Sequence, residues 1–318
     1  MNGTGVAGSA SGLVCSELAS HWQGGGLTGA VSMKIRLSIC ATFALMLVGV
    51  LSGCEKIKPY LGSQIRNEFV HSAEMKKSLP LVMVVPQNYD EAGNAKRRYP
   101  VVILLHGYGG NAVQWQKITD LTRLANRYNV LFACPDGGKD SWYFDSPQDP
   151  DSRYESHIMK NVITFIDSSY RTLGAQGRAI SGLSMGGHGA LRFISLYPDS
   201  FLAAGSMSGI LDLRVFPNSW QLSEKLGSIS EEPERWFANS AVNLVANLKG
   251  KNKHIIVDCG TEDFAIAVNR AYRDSAAVHG VEITYEEGPG NHSADYWAKR
   301  LPVHLDFFKT FFQEGKEK

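Results

Sequence analysis

Apolar runs of strand length, closed by glycine, proline or polar turns, recur along this chain with helix-length segments between them. Leu81-Val82-Met83-Val84-Val85-Pro86 reads as an early strand, and Asp90 to Arg98 as the polar turn before a central strand at Val101-Val102-Ile103-Leu104-Leu105. Further strands are expected at Val130–Cys134, Arg178–Ser181, Leu202–Ser208, His254–Cys259 and Glu282–Glu286. Between them, Glu155 to Tyr170 carries Ile158, Met159, Val162, Phe165 and Ile166 at helical spacing. Gly187 to Tyr197 sets Leu191, Ile194 and Ser195 along one side and is stopped by Pro198. Such alternation predicts an α/β architecture, a mostly parallel central sheet with helices on both faces. The rhythm breaks from Ile210 to about Leu248, where Pro217, Trp220, Gly227, Pro233 and Trp236 interrupt it, so residues 210–248 are expected to form a small irregular helical cap. No internal repeat is evident.

The amino-terminal pattern is of another kind. Met33-Lys34-Ile35-Arg36 is a short basic segment, followed by an apolar run from Leu37 to Leu51 that is too short for a comfortable membrane span but right for a signal-peptide core. It ends at Leu51-Ser52-Gly53-Cys54, which resembles a bacterial lipobox; the resemblance implies lipidation at Cys54, a membrane partner and a place in the bacterial cell envelope, on the outer membrane or a periplasmic face. Met1 to Ser32 has no lysine or arginine and no periodicity, which makes it an improbable prelude to a signal and points to translation from Met33. The expected organisation is an upstream extension (1–32), a lipoprotein signal (33–53), a tether (54–66) and one catalytic domain (67–314).

Composition narrows the possibilities. With a formal net charge of +1 and no basic run interleaved with aromatics, nucleic acid is not an expected partner. No CxxC or HExxH spacing suggests a metal, and no cofactor is expected. Of the five cysteines, Cys15, Cys40 and Cys54 belong to the amino-terminal region, leaving Cys134 and Cys259, each closing a predicted strand.

The chemistry centres on Gly182-Leu183-Ser184-Met185-Gly186, a G-x-S-x-G pentapeptide between a predicted strand and helix, the arrangement by which one large hydrolase class displays its nucleophile. The two glycines clear space around a strained turn. An acid and then a base should follow in chain order. Asp263, in the loop Gly260-Thr261-Glu262-Asp263 after one strand, is assigned as the acid, with Asp258 and Glu262 as rivals; Asp258 lies at the strand's end, where structural hydrogen bonding is the plainer role. His292, in Gly288-Pro289-Gly290-Asn291-His292 after the last strand, is assigned as the base. Among the nine histidines, His188 reads as a structural partner in the nucleophile's helix and His106 as a loop-orienting residue. His157, His254, His279 and His304 lie in helical or strand contexts without a glycine-rich loop. Oxyanion donors are expected from the backbone amides of Met185 and of Tyr108, the latter in His106-Gly107-Tyr108-Gly109-Gly110.

Ser181-Gly182-Leu183-Ser184-Met185-Gly186-Gly187-His188-Gly189-Ala190-Leu191, with Cys259-Gly260-Thr261-Glu262-Asp263-Phe264 and Leu105-His106-Gly107, resembles the Putative esterase family, over a span from about Phe69 to Phe311. That family holds esterase D-type enzymes (S-formylglutathione hydrolases), tributyrin esterases, acetylxylan and feruloyl esterases, and bacterial mycolyltransferases. The resemblance implies an α/β-hydrolase fold, a metal-free acyl-serine mechanism and the same Ser184, Asp263 and His292. In the family's strand order the strands bearing Cys134 and Cys259 would not be neighbours, so two free buried thiols are expected. Ser141-Trp142-Tyr143 resembles the tributyrin and feruloyl branch, whereas Gly109-Gly110-Asn111-Ala112 stands where formylglutathione hydrolases usually carry a cysteine and threonine, which weakens the thioesterase reading. Trp142, Tyr143, Trp220, Trp236 and Trp297 are candidates for a pocket wall, Trp142 and Tyr143 foremost because their loop follows a strand's carboxyl end. The expected activity is a serine carboxylesterase on short-chain or carbohydrate-linked (acetyl or feruloyl) esters. The alternatives are a thioesterase or acyltransferase, and a non-catalytic binding lipoprotein that uses the same cleft.

Overall fold

The computed structural model describes residues 64–312; the proposed upstream extension, the signal, Cys54 and nearly all of the tether lie outside the described residues. Eight strands form one sheet: β1 (Ile65–Ser72), β2 (Lys77–Val84), β3 (Val101–Leu105), β4 (Leu131–Pro135), β5 (Arg178–Leu183), β6 (Ala203–Met207), β7 (His254–Gly260) and β8 (Thr284–Gly288). Their spatial order is β1-β2-β4-β3-β5-β6-β7-β8, with β1 and β2 joined antiparallel at one edge and β4 to β8 parallel. Helical elements follow the strands: α1 (Gln114–Ile118) and α2 (Leu121–Tyr128) after β3, α4 (Met185–Leu196) after β5, α8 (Ile266–His279) after β7, and α9 (Ala294–Lys309) after β8. The helix α3 after β4 starts at Tyr154–Ser156, widens into a π-helical stretch over His157–Val162 and returns to α geometry over Ile163–Ser169.

Burial on both faces explains why the strands are apolar runs rather than alternating ones. In β3, Val101, Ile103 and Leu105 enter one core with α3, α4 and α8, while Val102 and Leu104 enter the other with α1, α2 and α9. All five of these side chains are fully buried. Cys134 and Cys259 are free and buried, on β4 and β7, with three strands between them.

Between β6 and β7 the chain builds three short helices, α5 (Leu222–Leu226), α6 (Pro233–Asn239) and α7 (Ala241–Leu244), with 3₁₀ turns on either side. This segment is clasped rather than loose. The buried ammonium of Lys225 bridges Asp140 and Asp149, Ser146 Oγ donates to Lys225 O, and Asn239 accepts from Arg192 of α4. Among the described residues, no helix is long and apolar enough to cross a membrane.

Candidate active site

The parallel strands deliver their loops to one edge of the sheet, and the site is assembled there. β5 ends at Leu183, α4 begins at Met185, and Ser184 between them has φ 54° and ψ −117°, an unfavourable conformation for a non-glycine residue. Close packing maintains it. A Cβ on Gly182 would lie 2.4 Å from the Gly186 carbonyl, and one on Gly186 would lie 2.4 Å from Leu105 O, so both flanking glycines are sterically required. Ser184 N donates to Met207 O of β6 at 3.0 Å, tying the turn to the next strand.

The loops after β7 and β8 are bonded to each other. Thr261 N donates to Gly288 O and Glu262 N to Gly290 O, at 2.8 and 2.9 Å; Gly260 lacks a side chain where the Gly290 backbone crosses it. This brings Asp263 beneath His292: Nδ1 of His292 donates to Asp263 Oδ2 at 2.9 Å and Oδ1 at 3.0 Å, and Nε2 accepts from Ser184 Oγ at 2.9 Å. The partners assign the tautomer, because an ionised carboxylate can only accept. Burial alone would raise the Asp263 pKa, but hydrogen bonds from His292 and the Ala265 amide outweigh it and hold the carboxyl below its ordinary value. The Asp263 side chain is fully shielded from solvent.

On the opposite side of the nucleophile, the loop after β3 approaches so closely that a Cβ on Gly107 would be 3.5 Å from Ser184 Cβ. Its neighbouring amides are engaged: Gly107 N on Gln114 Oε1, Gly109 N on Lys139 O, and Gly110 N on Gly107 O. No hydrogen bond from the Tyr108 amide is found among the described residues, and Met185 N lies at the first turn of α4, where helical amides have no partner within the helix. His106 orients this loop, its Nδ1 donating to Gly107 O and its Nε2 accepting from Gly137 N; burial pushes its pKa down.

The rival groups have other partners. Asp258 is fully buried in β7, accepts from His304 Nε2 at 2.6 Å, and pairs with Arg300 at 3.1 Å. His304 in turn meets Ser181 Oγ through Nδ1 at 3.1 Å. This is a second Ser, His, Asp chain, but it lies wholly inside the protein, where no ester can reach it. Glu262 is exposed. His188 donates through Nε2 to Asn239 O and is fully buried. Burial, with nearby Arg192, pushes its pKa down to about 3, so it stays neutral.

The pocket expectation needs correction. Trp142 and Tyr143 are 1% and 0% exposed and present no wall to solvent. Tyr143 fills the space beside Gly137 and Gly189 and donates its hydroxyl to His106 O, which makes it a prop for the loop after β3. Trp142 donates Nε1 to Trp220 O. Trp236 is buried, with Nε1 on Gly227 O, and Trp297 meets His292 edge-on at 5.1 Å. The aromatic surface next to the base is instead Phe264, missed in the sequence although it directly follows Asp263. Its ring centroid is 4.5 Å from that of His292, and it is 51% exposed. Among the described residues, no cluster of three or more histidine, cysteine or carboxylate side chains is arranged to hold a metal.

Comparison with known proteins identifies family and fold. The family model described as Putative esterase matches residues 72–308. The chain is 27% identical over 258 residues to an acetyl esterase of Caldicellulosiruptor saccharolyticus, covering 73% of this chain and 92% of the relative. It is 22% identical over 220 residues to the S-formylglutathione hydrolase of Rattus norvegicus, covering 63% of this chain and 75% of that protein. Among solved structures, a ferulic acid esterase is similar with a TM-score of 0.68 and 25% identity, covering 78% of this chain and 98% of the other.

Proposed function

Because the chain belongs to the Putative esterase family, we propose that it is a serine carboxylesterase whose nucleophile is Ser184, base His292 and acid Asp263. The observation that carries the reading is the continuous chain from Ser184 Oγ to His292 Nε2 and from His292 Nδ1 to Asp263, built on a strained turn beside a glycine-rich loop.

Ser184 Oγ attacks the ester carbonyl as its proton passes to His292 Nε2, and Asp263 supports the imidazolium. The carbonyl oxygen, now an oxyanion, accepts from the Met185 and Tyr108 amides, each such donor being worth on the order of 10² to 10³ in rate. His292 Nε2 returns the proton to the leaving alcohol as the C–O bond breaks. Water, deprotonated by the same nitrogen, then attacks the acyl-serine and releases the acid. No step calls for a metal or cofactor.

Short-chain acyl esters and acetyl or feruloyl esters of carbohydrates are the proposed substrates, supported by the similarity to the acetyl and ferulic acid esterases. Thioester hydrolysis and acyl transfer share the same acyl-enzyme, and the product ratio in water with and without added alcohol or thiol separates them. The test of the core reading is p-nitrophenyl acetate hydrolysis by a soluble form starting after Cys54, beside Ser184→Ala and His292→Ala. Near-normal rates in either folded variant would refute it. Lipidation at Cys54 and residence in the bacterial envelope rest on the basic, apolar and Leu-Ser-Gly-Cys pattern alone. Labelling with a fatty-acid probe in a bacterial host, present in the native chain and lost in Cys54→Ala, is the expected result; a native chain that takes no label would end that proposal.

A further inference from the structure

Phe264 is the first of three rings that continue away from the base. Its centroid is 5.8 Å from Trp220 and 6.1 Å from Phe216, which are 5.2 Å from each other. Both Trp220 and Phe216 are partly exposed and packed on the larger core. The wall is held from behind. Trp220 and its neighbour Gln221 both have left-handed backbones, φ 51° and 55°, which non-glycine residues adopt only when their surroundings impose it. Trp142 Nε1 fixes Trp220 O at 3.1 Å, and Tyr108 donates its hydroxyl to Gln221 Oε1 at 2.5 Å. The insertion is thus latched at one position to the loop after β4 and at the next to the loop that carries the expected oxyanion amide.

The chemistry of the step says which half of the ester meets this wall. The leaving oxygen must come within hydrogen-bond reach of His292 Nε2, which itself lies 2.9 Å from Ser184 Oγ. The carbonyl oxygen must point the other way, toward the loop after β3. The group carried on the leaving oxygen therefore passes over the imidazole, and the surface beside the imidazole is the half-exposed face of Phe264. Trp142 and Tyr143, the expected pocket wall, are buried against their own neighbours and offer no competing surface.

Resting on the esterase reading above, we propose that Phe264, Trp220 and Phe216 form the binding wall for the alcohol half of the substrate and select esters whose alcohol offers a flat ring face. An aryl ring and the apolar face of a sugar share that chemistry. The experiment compares kcat/KM for ethyl acetate, benzyl acetate and a monoacetylated methyl glycoside, all with the same acyl group, in wild type, Trp220→Ala and Trp220→Phe; Trp220 does not touch His292. The wild type is expected to favour ring-bearing alcohols, with the glycoside and benzyl arms telling which ring it prefers. In Trp220→Ala the ring-to-ethyl ratio should fall about tenfold, mostly through KM, and Trp220→Phe should restore most of it. A ratio within twofold of wild type in Trp220→Ala would overturn the proposal. So would a change confined to acyl preference, read with ethyl acetate, ethyl butyrate and ethyl benzoate. Wild-type protein that hydrolyses none of these esters would instead defeat the esterase reading itself, and the wall's role with it.

Discussion

Asp263→Asn is the substitution whose consequence can be worked through most fully. The side chain is shielded from solvent, accepts from His292 Nδ1 through both oxygens and receives the Ala265 amide on Oδ1 at 2.9 Å. Asparagine has nearly the same shape and keeps an oxygen for Ala265, so its NH₂ must face Nδ1. To avoid two opposed donors, the imidazole shifts its proton to Nε2, the nitrogen that faces Ser184 Oγ. A protonated Nε2 cannot take the serine proton. That tautomer trap is worth on the order of 10⁴ in kcat, equivalent to about 5 kcal/mol in the transition state, with KM little changed because the carboxylate does not touch substrate. The assay is steady-state hydrolysis of p-nitrophenyl acetate, with Glu262→Gln as the exposed neighbouring control and circular dichroism to confirm folding. Retention of more than a tenth of wild-type kcat in folded Asp263→Asn would refute the reasoning. A linked effect has a definite sign. The depressed Asp263 pKa contributes stability above the ordinary carboxylate pKa, and that stability is lost as pH falls through the folded value. The asparagine variant should therefore lose Tm less steeply on acidification.

Three further outcomes are expected. Asp258→Asn removes the buried charge that accepts from His304 and pairs with Arg300, and should cost about 3 kcal/mol in denaturant unfolding while kcat stays within a few-fold; a kcat collapse without destabilisation would restore Asp258 as the acid. His188 is held neutral with its pKa near 3, so only the unfolded chain takes up its proton below about pH 6.5. Its contribution is complete above that pH and shrinks by about 2 kcal/mol on going down to pH 5. His188→Gln, whose amide can donate to Asn239 O, should flatten that part of the Tm profile, and an unchanged profile would contradict the assignment. Gly186→Ala, with its Cβ 2.4 Å from Leu105 O, should lose about 3 kcal/mol by thermal or chemical melting, whereas Gly93→Ala, which meets nothing within 4 Å, should be neutral; equal stabilities would count against the packing argument.

The sheet's parallel part was legible because double burial leaves a plain mark: Val101–Leu105 was delimited without error, and β5 and β7 differ from expectation by one or two residues at their ends. The expected start of α4 at Gly187 is two residues late, since the nucleophile's turn passes into the helix with no linker. β1 leaves no clear pattern because, as an edge strand paired only with β2, it buries just Val70 and Ser72 and leaves Phe69 in solvent. Pro302 inside α9 obscures that helix, which caps itself with Ser293 immediately after His292. The π-helical stretch of α3 has the same residue pattern as an ordinary helix and leaves no signal. For the site, chain order and glycine-rich loops singled out Ser184, Asp263 and His292, and the fold brings the first two within hydrogen-bonding distance of opposite nitrogens of His292. Pocket residues are only partly legible: the sequence offers Trp142 and Trp220 alike, and whether a tryptophan lines a cavity or fills one depends on what packs behind it. Trp142 fills, while Trp220, from a segment with no clear periodicity, packs on the core and stays partly exposed.

The central claim is that Ser184 is a nucleophile activated by His292, and covalent trapping tests it most directly. The protein is incubated with diethyl p-nitrophenyl phosphate, its intact mass is measured, and the modified peptide is mapped in wild type, Ser184→Ala and His292→Ala. One diethylphosphoryl group per chain on the Ser184 peptide, none in Ser184→Ala and strongly slowed addition in His292→Ala is the expected result. Label on another residue, or an unmodified Ser184 in protein that still hydrolyses esters, would contradict it.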